Sequence, residues 1–243
     1  MIRGIYIAAS GMLAESVRQD IIANNLANAT TTGFKRSDVV VEQFGEMLLS
    51  NLGEPGTPPV GSLSTGSQVN GVRVVDGQGK LRATDNPLDL ALAGNGHFAI
   101  ATPEGVRYTR DGSFALDAAG RLVTKDGSAV LGEGGPITLG PGEVKIAADG
   151  AVTQGGQTKG RLRITVLAPD SIRKEGDSHV NGTPQGGADV QVRQGFLEAS
   201  TVNVVGEMVE LIRVMRSFEA NQRAARAHDE ALQQSVTRVG SVG

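Results

Sequence analysis

The chain has 243 residues, 39% apolar and only 3% aromatic, with 34 glycines, nine prolines and no cysteine. Its net charge of −3 comes without a basic block, which argues against a nucleic-acid partner. The lack of Cys excludes disulfides, thiolate zinc sites and cysteine nucleophiles.

The N-terminal stretch is mildly apolar from Ile5 to Ala14, but Ser10 and Gly11 interrupt it and Glu15 follows. It reads as part of the mature chain, not as a cleaved leader. Ile2, Ile5, Ala9, Met12, Ser16, Gln19, Ala23 and Leu26 alternate in steps of three and four, the spacing of a helix stripe. Asn28 and the run Thr30-Thr31-Thr32-Gly33 end that helix.

All nine prolines lie between Pro55 and Pro184, and 27 of the 34 glycines between Gly53 and Gly195. Helices exclude Pro and tolerate Gly poorly, so the order is helix, β-rich middle, helix. Glu42 to Leu52 could extend a helix, and Gly53 to Gly71 reads as a loop or flexible arm. From Asn86 the period becomes two. Leu88, Leu90 and Leu92 lead into Gly94-Asn95-Gly96, then Phe98 and Ile100, then Val106 and Tyr108, with Asp111-Gly112 and Asp126-Gly127 as hairpin signals. Val144–Ile146, Leu162–Val166 and Val190–Val192 are later strands.

In the C-terminal flank Val204, Met208, Leu211, Met215, Phe218, Gln222, Ala225, Asp229, Leu232, Val236 and Val239 hold a heptad spacing. Asn203 is a plausible cap. The expected fold is mixed: long N- and C-terminal α-helices pairing as a coiled coil, with a central antiparallel all-β domain. The expected divisions are an N-terminal helix and exit turn over 1–36, an extension or flexible arm over 37–84, a β-rich domain over 85–200 and a coiled-coil helix over 201–243.

Motifs of chemistry are missing. There is no phosphate-binding loop and no nucleophile elbow, and Gly94-Asn95-Gly96 lacks the third glycine of a dinucleotide fingerprint. Asp111, Asp117 and Asp126 fit turns better than a calcium loop. His97 is expected on an outer strand face and His228 on the outer helix face, neither with a metal partner. No catalytic, cofactor-binding or metal residue is assigned, and no stretch of about 18 apolar residues suggests membrane insertion.

Three sets of strings carry a resemblance. The first is Ile22-Ala23-Asn24-Asn25-Leu26-Ala27-Asn28-Ala29-Thr30-Thr31-Thr32-Gly33-Phe34-Lys35. The second comprises Asn86-Pro87-Leu88-Asp89-Leu90-Ala91-Leu92, Gly94-Asn95-Gly96-His97-Phe98 and Tyr108-Thr109-Arg110-Asp111-Gly112-Ser113-Phe114. The third is Val202 to Val209 with Phe218-Glu219-Ala220-Asn221-Gln222. In this order they resemble the flagellar basal-body rod and hook family, most closely its proximal rod members and next its distal ones. His97 stands where that family usually has Phe, and Gly206 where it has a helix-favouring acid.

The resemblance implies a non-enzymatic axial subunit that leaves the cytoplasm through the flagellar export apparatus. Its partners would be copies of itself and neighbouring rod proteins. Its place would be the rod, outside the cytoplasmic membrane, and periplasmic where two membranes are present. The terminal helices would form an inner tube that transmits torque, with the β domain outside. The expected assembly interface is Ile5, Met12, Leu26, Val204, Met208, Leu211, Met215, Phe218, Leu232 and Val236. A surface or phage-tail fibre is the structural alternative.

Overall fold

A computed structural model describes residues 2–43, 45–49, 61–64, 66–176, 178–187 and 190–240. The chain forms two units: Met1–Asn24, Ser37–Val72 and Val204–Gly243 make the first, and Asn25–Arg36 with Arg73–Asn203 the second.

The first unit is built on helix α1, Ile2–Ala27, and helix α2, Val204–Gly240. At about 1.5 Å per residue, α2 is about 55 Å long. Between them in sequence, Ser37–Gln43 pairs with Ser67–Val74, and Glu46–Leu49 pairs antiparallel with Gly61–Ser64. Within the stretch Glu42 to Leu52, considered as a helix, residues 42–43 and Glu46–Leu49 are strand, and 44 and 50–52 lie outside the described residues. For Ser37–Gln43 the cause is visible in Val39-Val40-Val41, where β-branched residues with period-two burial favour extended backbone. Of the expected loop over 53–71, residues 53–60 and 65 lie outside the described residues, and the rest is largely strand, in Gly61–Ser64 and Ser67–Val74.

The helices do not pair as the expected coiled coil. Met208, Met215 and Val236 of the proposed seam are 48%, 47% and 71% exposed. The α2 positions turned inward are instead Glu207 and Val214, which are buried, and Asn221 and His228, which are half-buried. These recur every seven residues, each one place before Met208, Met215, Gln222 and Asp229. One residue is about 100° of helix rotation, so half of the predicted seam is turned away.

Where the helices meet, the residues are small or polar. A Cβ on Gly4 would stand 2.5 Å from the His228 ring, and one on Gly11 2.8 Å from Asn221. Ser217 donates to Glu15 at 3.0 Å. The helices therefore run in opposite directions across a thin seam. His228 faces α1 and not the outside. Small residues permit this close approach, and apolar heptads alone could not reveal it.

The second unit is β-rich, as the period-two pattern requires. Its largest sheet runs in the order Arg173–Glu175, His179–Asn181, Gly105–Thr109, His97–Thr102, Ala129–Gly132, Leu122–Val123 and Ala115–Leu116, with antiparallel neighbours. Ile164–Leu167 also pairs with His97–Thr102. Val144–Ile146, Ala151–Gln154 and Gln157–Arg161 form a three-stranded sheet, and Gln191–Gln194 pairs with Leu90–Ala93.

The main core gathers Leu90, Leu92, Phe98, Ile100, Leu122 and Val130, each at most 1% exposed. Phe98 and Phe114 meet edge to face with centroids 5.2 Å apart. At Asp111-Gly112 the glycine is required by proximity. A Cβ on Gly112 would fall 1.7 Å from the Leu90 carbonyl oxygen, and Leu90 donates its N–H to Gly112 O at 3.0 Å.

Candidate assembly surface and a buried charge clasp

In the first unit, the helices leave large apolar side chains in solvent. On α2, Val205, Met208, Val209, Ile212 and Met215 recur three and four apart, and each is about half exposed or more. This spacing makes one stripe on the helix surface. On α1, Tyr6 and Leu13 lie seven apart and are 59% and 68% exposed. Both line an open groove of about 400 Å³ with Ser10, Val17, Gln68 and Val69. The Ser67 N–H donates to Ser10 Oγ at 3.3 Å on its floor.

The ten expected interface residues divide in two. Val204, Met208, Met215 and Val236 are exposed, whereas Ile5, Met12, Leu26, Leu211, Phe218 and Leu232 are half-buried. Val205, Val209 and Ile212, which the strict heptad passed over, are exposed as well. Their signal was the i, i+4, i+7 spacing, offset by one from Val204, Met208 and Leu211.

The second unit holds a different constellation, buried and charged. Lys35 follows the turn after α1, Arg110 follows the strand Gly105–Thr109, and Glu198 ends the strand Phe196–Glu198. Lys35 Nζ lies 2.6 Å from Glu198 Oε1, and Arg110 donates to Glu198 Oε2 at 3.2 Å. All three side chains are at most 3% exposed.

Backbone groups add further hydrogen bonds to these buried charges, while Arg110 Nε has no partner among the described residues. Lys35 also donates to the Gly77 carbonyl at 2.5 Å, the Gly79 N–H donates to Glu198 at 2.6 Å, and Arg110 donates to the Gly94 carbonyl at 2.9 Å. Burial pulls the Lys35 pKa below its ordinary value, against the opposing pull of Glu198. Beside it, the Lys174 ammonium sits 3.4 Å over the Phe34 ring.

Gly33 lets the chain enter this clasp. Its φ of +66° suits glycine, and a Cβ there would stand 2.4 Å from the Arg110 backbone carbon. The Gly33 N–H donates to Glu198 O at 2.8 Å, and Thr201 N–H donates to Phe34 O at 3.1 Å. Glu198 went unnoticed in the sequence. No sequence pattern marked it, since strand alternation turns one of Leu197 and Glu198 outward, yet both are buried.

His97 belongs to the same region and is 2% exposed, contrary to the outer-face expectation. Its strand is flanked on both sides by others, and its first four residues are all buried. Asp111, Asp117 and Asp126 serve turns and loops. Asp117 Oδ1 accepts the Ala119 and Arg121 N–H groups, Asp111 accepts from Thr32 and Ser113, and Asp126 accepts from Ser128. Among the described residues no group of three or more His, Asp or Glu could hold a metal.

Family models match three stretches of the chain: the flagella basal body rod protein model over 5–35, the flagellar hook protein FlgE/F/G D1 domain over 91–154, and the flagellar basal body rod FlgEFG C-terminal model over 193–238. The chain is 33% identical to the flagellar basal-body rod protein FlgG of Buchnera aphidicola (subsp. Acyrthosiphon pisum), covering 96% of this chain and 98% of that protein. It belongs to the flagellar basal-body rod family.

Relatives of both rod names occur, since the basal-body rod protein FlgF of Caulobacter vibrioides is 36% identical over the full length of both chains. The flagellar hook-basal body complex protein FlhO of Bacillus subtilis is 29% identical, also over both full lengths. The family is structural, not enzymatic, and its place is the flagellar basal body. Among the described residues no helix is long and apolar enough to cross a membrane. Each matched stretch supplies one charge to the clasp: Lys35 the first, Arg110 the second and Glu198 the third.

Proposed function

We propose that this chain is an axial subunit that joins copies of itself and neighbouring rod proteins through the exposed faces of α1 and α2, and that the resulting helical rod carries torque from motor to hook. One observation carries the reading. In a rod-family chain, the stripe Val205, Met208, Val209, Ile212 and Met215 of α2 points to solvent, while glycines of α1 pack against His228 and Asn221 of α2. A stripe this apolar needs a partner, and burying each such side chain contributes about 1.5–3 kcal/mol. A contact between different faces of successive copies does not close, and so propagates as a helix.

Export through the flagellar export apparatus, without insertion into a membrane, belongs to the same reading. It is supported by the family of the relatives. Placement in the proximal rod follows the motif resemblance, and the FlgG relatives favour the distal rod as the second reading. The test is a strain producing the chain with Met208→Asp and Ile212→Asp. Electron microscopy of its basal bodies should lack this subunit, while the purified variant keeps the circular dichroism of the native chain. Normal rods in that strain would sink the proposal.

A further inference from the structure

Within the second unit His97 is surrounded by charge. Its Nε2 stands 3.6 Å from Asp76 Oδ1, and Nδ1 has no hydrogen-bond partner among the described residues. Lys35 of the turn segment and Arg110 after Gly105–Thr109 both act on it electrostatically. Lys174 on Arg173–Glu175 and His179 on His179–Asn181 line the same small cavity. Arg73 and Asp170 line the cleft that His97 shares with Asp76. Glu198 is bonded to both Lys35 and Arg110.

We propose that His97 is an acid-sensitive release for the clasp: a proton taken up there opens the segment bearing Phe34 and Lys35 away from Glu198. The reason is a charge count in a dry place. An imidazolium would add a third cation beside Lys35 and Arg110, against the one buried carboxylate they already share. Asp76, which stands closest to Nε2, is partly exposed and compensates it weakly. Opening to water relieves that repulsion, whereas neutral His97 fits without it.

The direction in pH follows from proton binding. Burial first, then Arg110 and Lys35, hold the closed-state pKa of His97 down to about 3. Opened to water, the ring titrates near its ordinary value of about 6.5. The open form therefore binds more protons between these values. The closed form keeps its full stability above about pH 6.5 and loses it progressively as pH falls toward 3. Between pH 7.5 and 5 the opening constant should rise about 30-fold.

Amide hydrogen exchange on the full chain, corrected for intrinsic rates, reads this directly. Gly33, Thr201 and Val75 donate the N–H groups that tie the segment down. In the native chain their protection should drop about 30-fold from pH 7.5 to 5, while Leu122, bonded in the core to Ile137 O, changes little. His97→Gln and His97→Leu should each abolish the pH response at those three amides, with folding at pH 7.5 verified by circular dichroism. An equal response in both variants, no response in the native chain, or an equal loss at Leu122 would overturn the proposal.

Discussion

The two units bury opposite things. The second encloses a large apolar core and even three full charges, which pair with one another and bond to its own backbone. The first buries Ala8, Ala14, Ile22, Val39 and Val214, but leaves Leu13, Val205, Ile212 and Met215 in water. A unit that satisfies itself is a folding unit. A unit that leaves a stripe of large apolar side chains in water is incomplete alone, and we take the missing burial to belong to assembly.

Adjacent residues on α2 give the sharpest way to break that comparison. Val214 is 1% exposed and Met215 is 47% exposed. Val214→Asp removes a buried side chain worth about 1.5–3 kcal/mol and adds the desolvation of an unpaired carboxylate, together more than about 3 kcal/mol. Met215→Asp should leave the isolated chain's unfolding free energy in urea unchanged within about 0.5 kcal/mol, yet block rod incorporation. If the two variants lost equal stability, the inner and outer faces of α2 would not differ as described.

In the second unit the matching test is Glu198→Ala. It strands Lys35 and Arg110 as buried cations without a counter-ion, and breaking a buried pair in this way costs about 3–5 kcal/mol. Equilibrium urea unfolding would measure it. A loss below about 1 kcal/mol would mean that water already reaches the clasp.

Gly33→Ala should follow, at about 1–3 kcal/mol, because the positive φ and the Arg110 backbone both oppose a Cβ. The same variant should speed exchange at the Thr201 amide, which bonds to Phe34 O. Native-like exchange there would show that the turn can shift without disturbing the clasp.

Legibility in the sequence followed the kind of physics involved. Local patterns could be read directly: α1 ends at Ala27, just before Asn28, and Val144–Ile146 is a strand where its alternation placed one. The three motif strings were also recognisable, but their meeting at Lys35, Arg110 and Glu198 was not. That contact spans up to 163 positions and leaves no periodic trace. The helix seam misled for a different reason. A heptad of large residues marks a face that needs burial, without saying whether the partner is the same chain or another. Gly4, Gly11 and Ser217 form the thin internal seam, and small residues carry little weight in an apolar pattern.

The smallest expected effect lies on the surface of the second unit, where Arg121 pairs with Asp117 at 2.7 Å. Exposed pairs of this kind contribute little, so Arg121→Ala should move the Tm by no more than about 1–2 °C. The informative readout is the Asp117 carboxyl. Its pKa is held below the ordinary value first by the Arg121 backbone N–H, then by the Arg121 side chain, with the Ala119 N–H also helping. Alanine keeps the backbone donor, so an NMR titration of Arg121→Ala should still find Asp117 below the usual carboxylate range. Because the folded value is depressed, the stability linked to this group is present above its unfolded pKa and fades as pH falls through the folded one. That acid limb should survive in the variant. A return of Asp117 to an ordinary titration would make the side-chain pair, not the turn, the source of the shift, and the surface of this unit would then depend on its charges as its interior does.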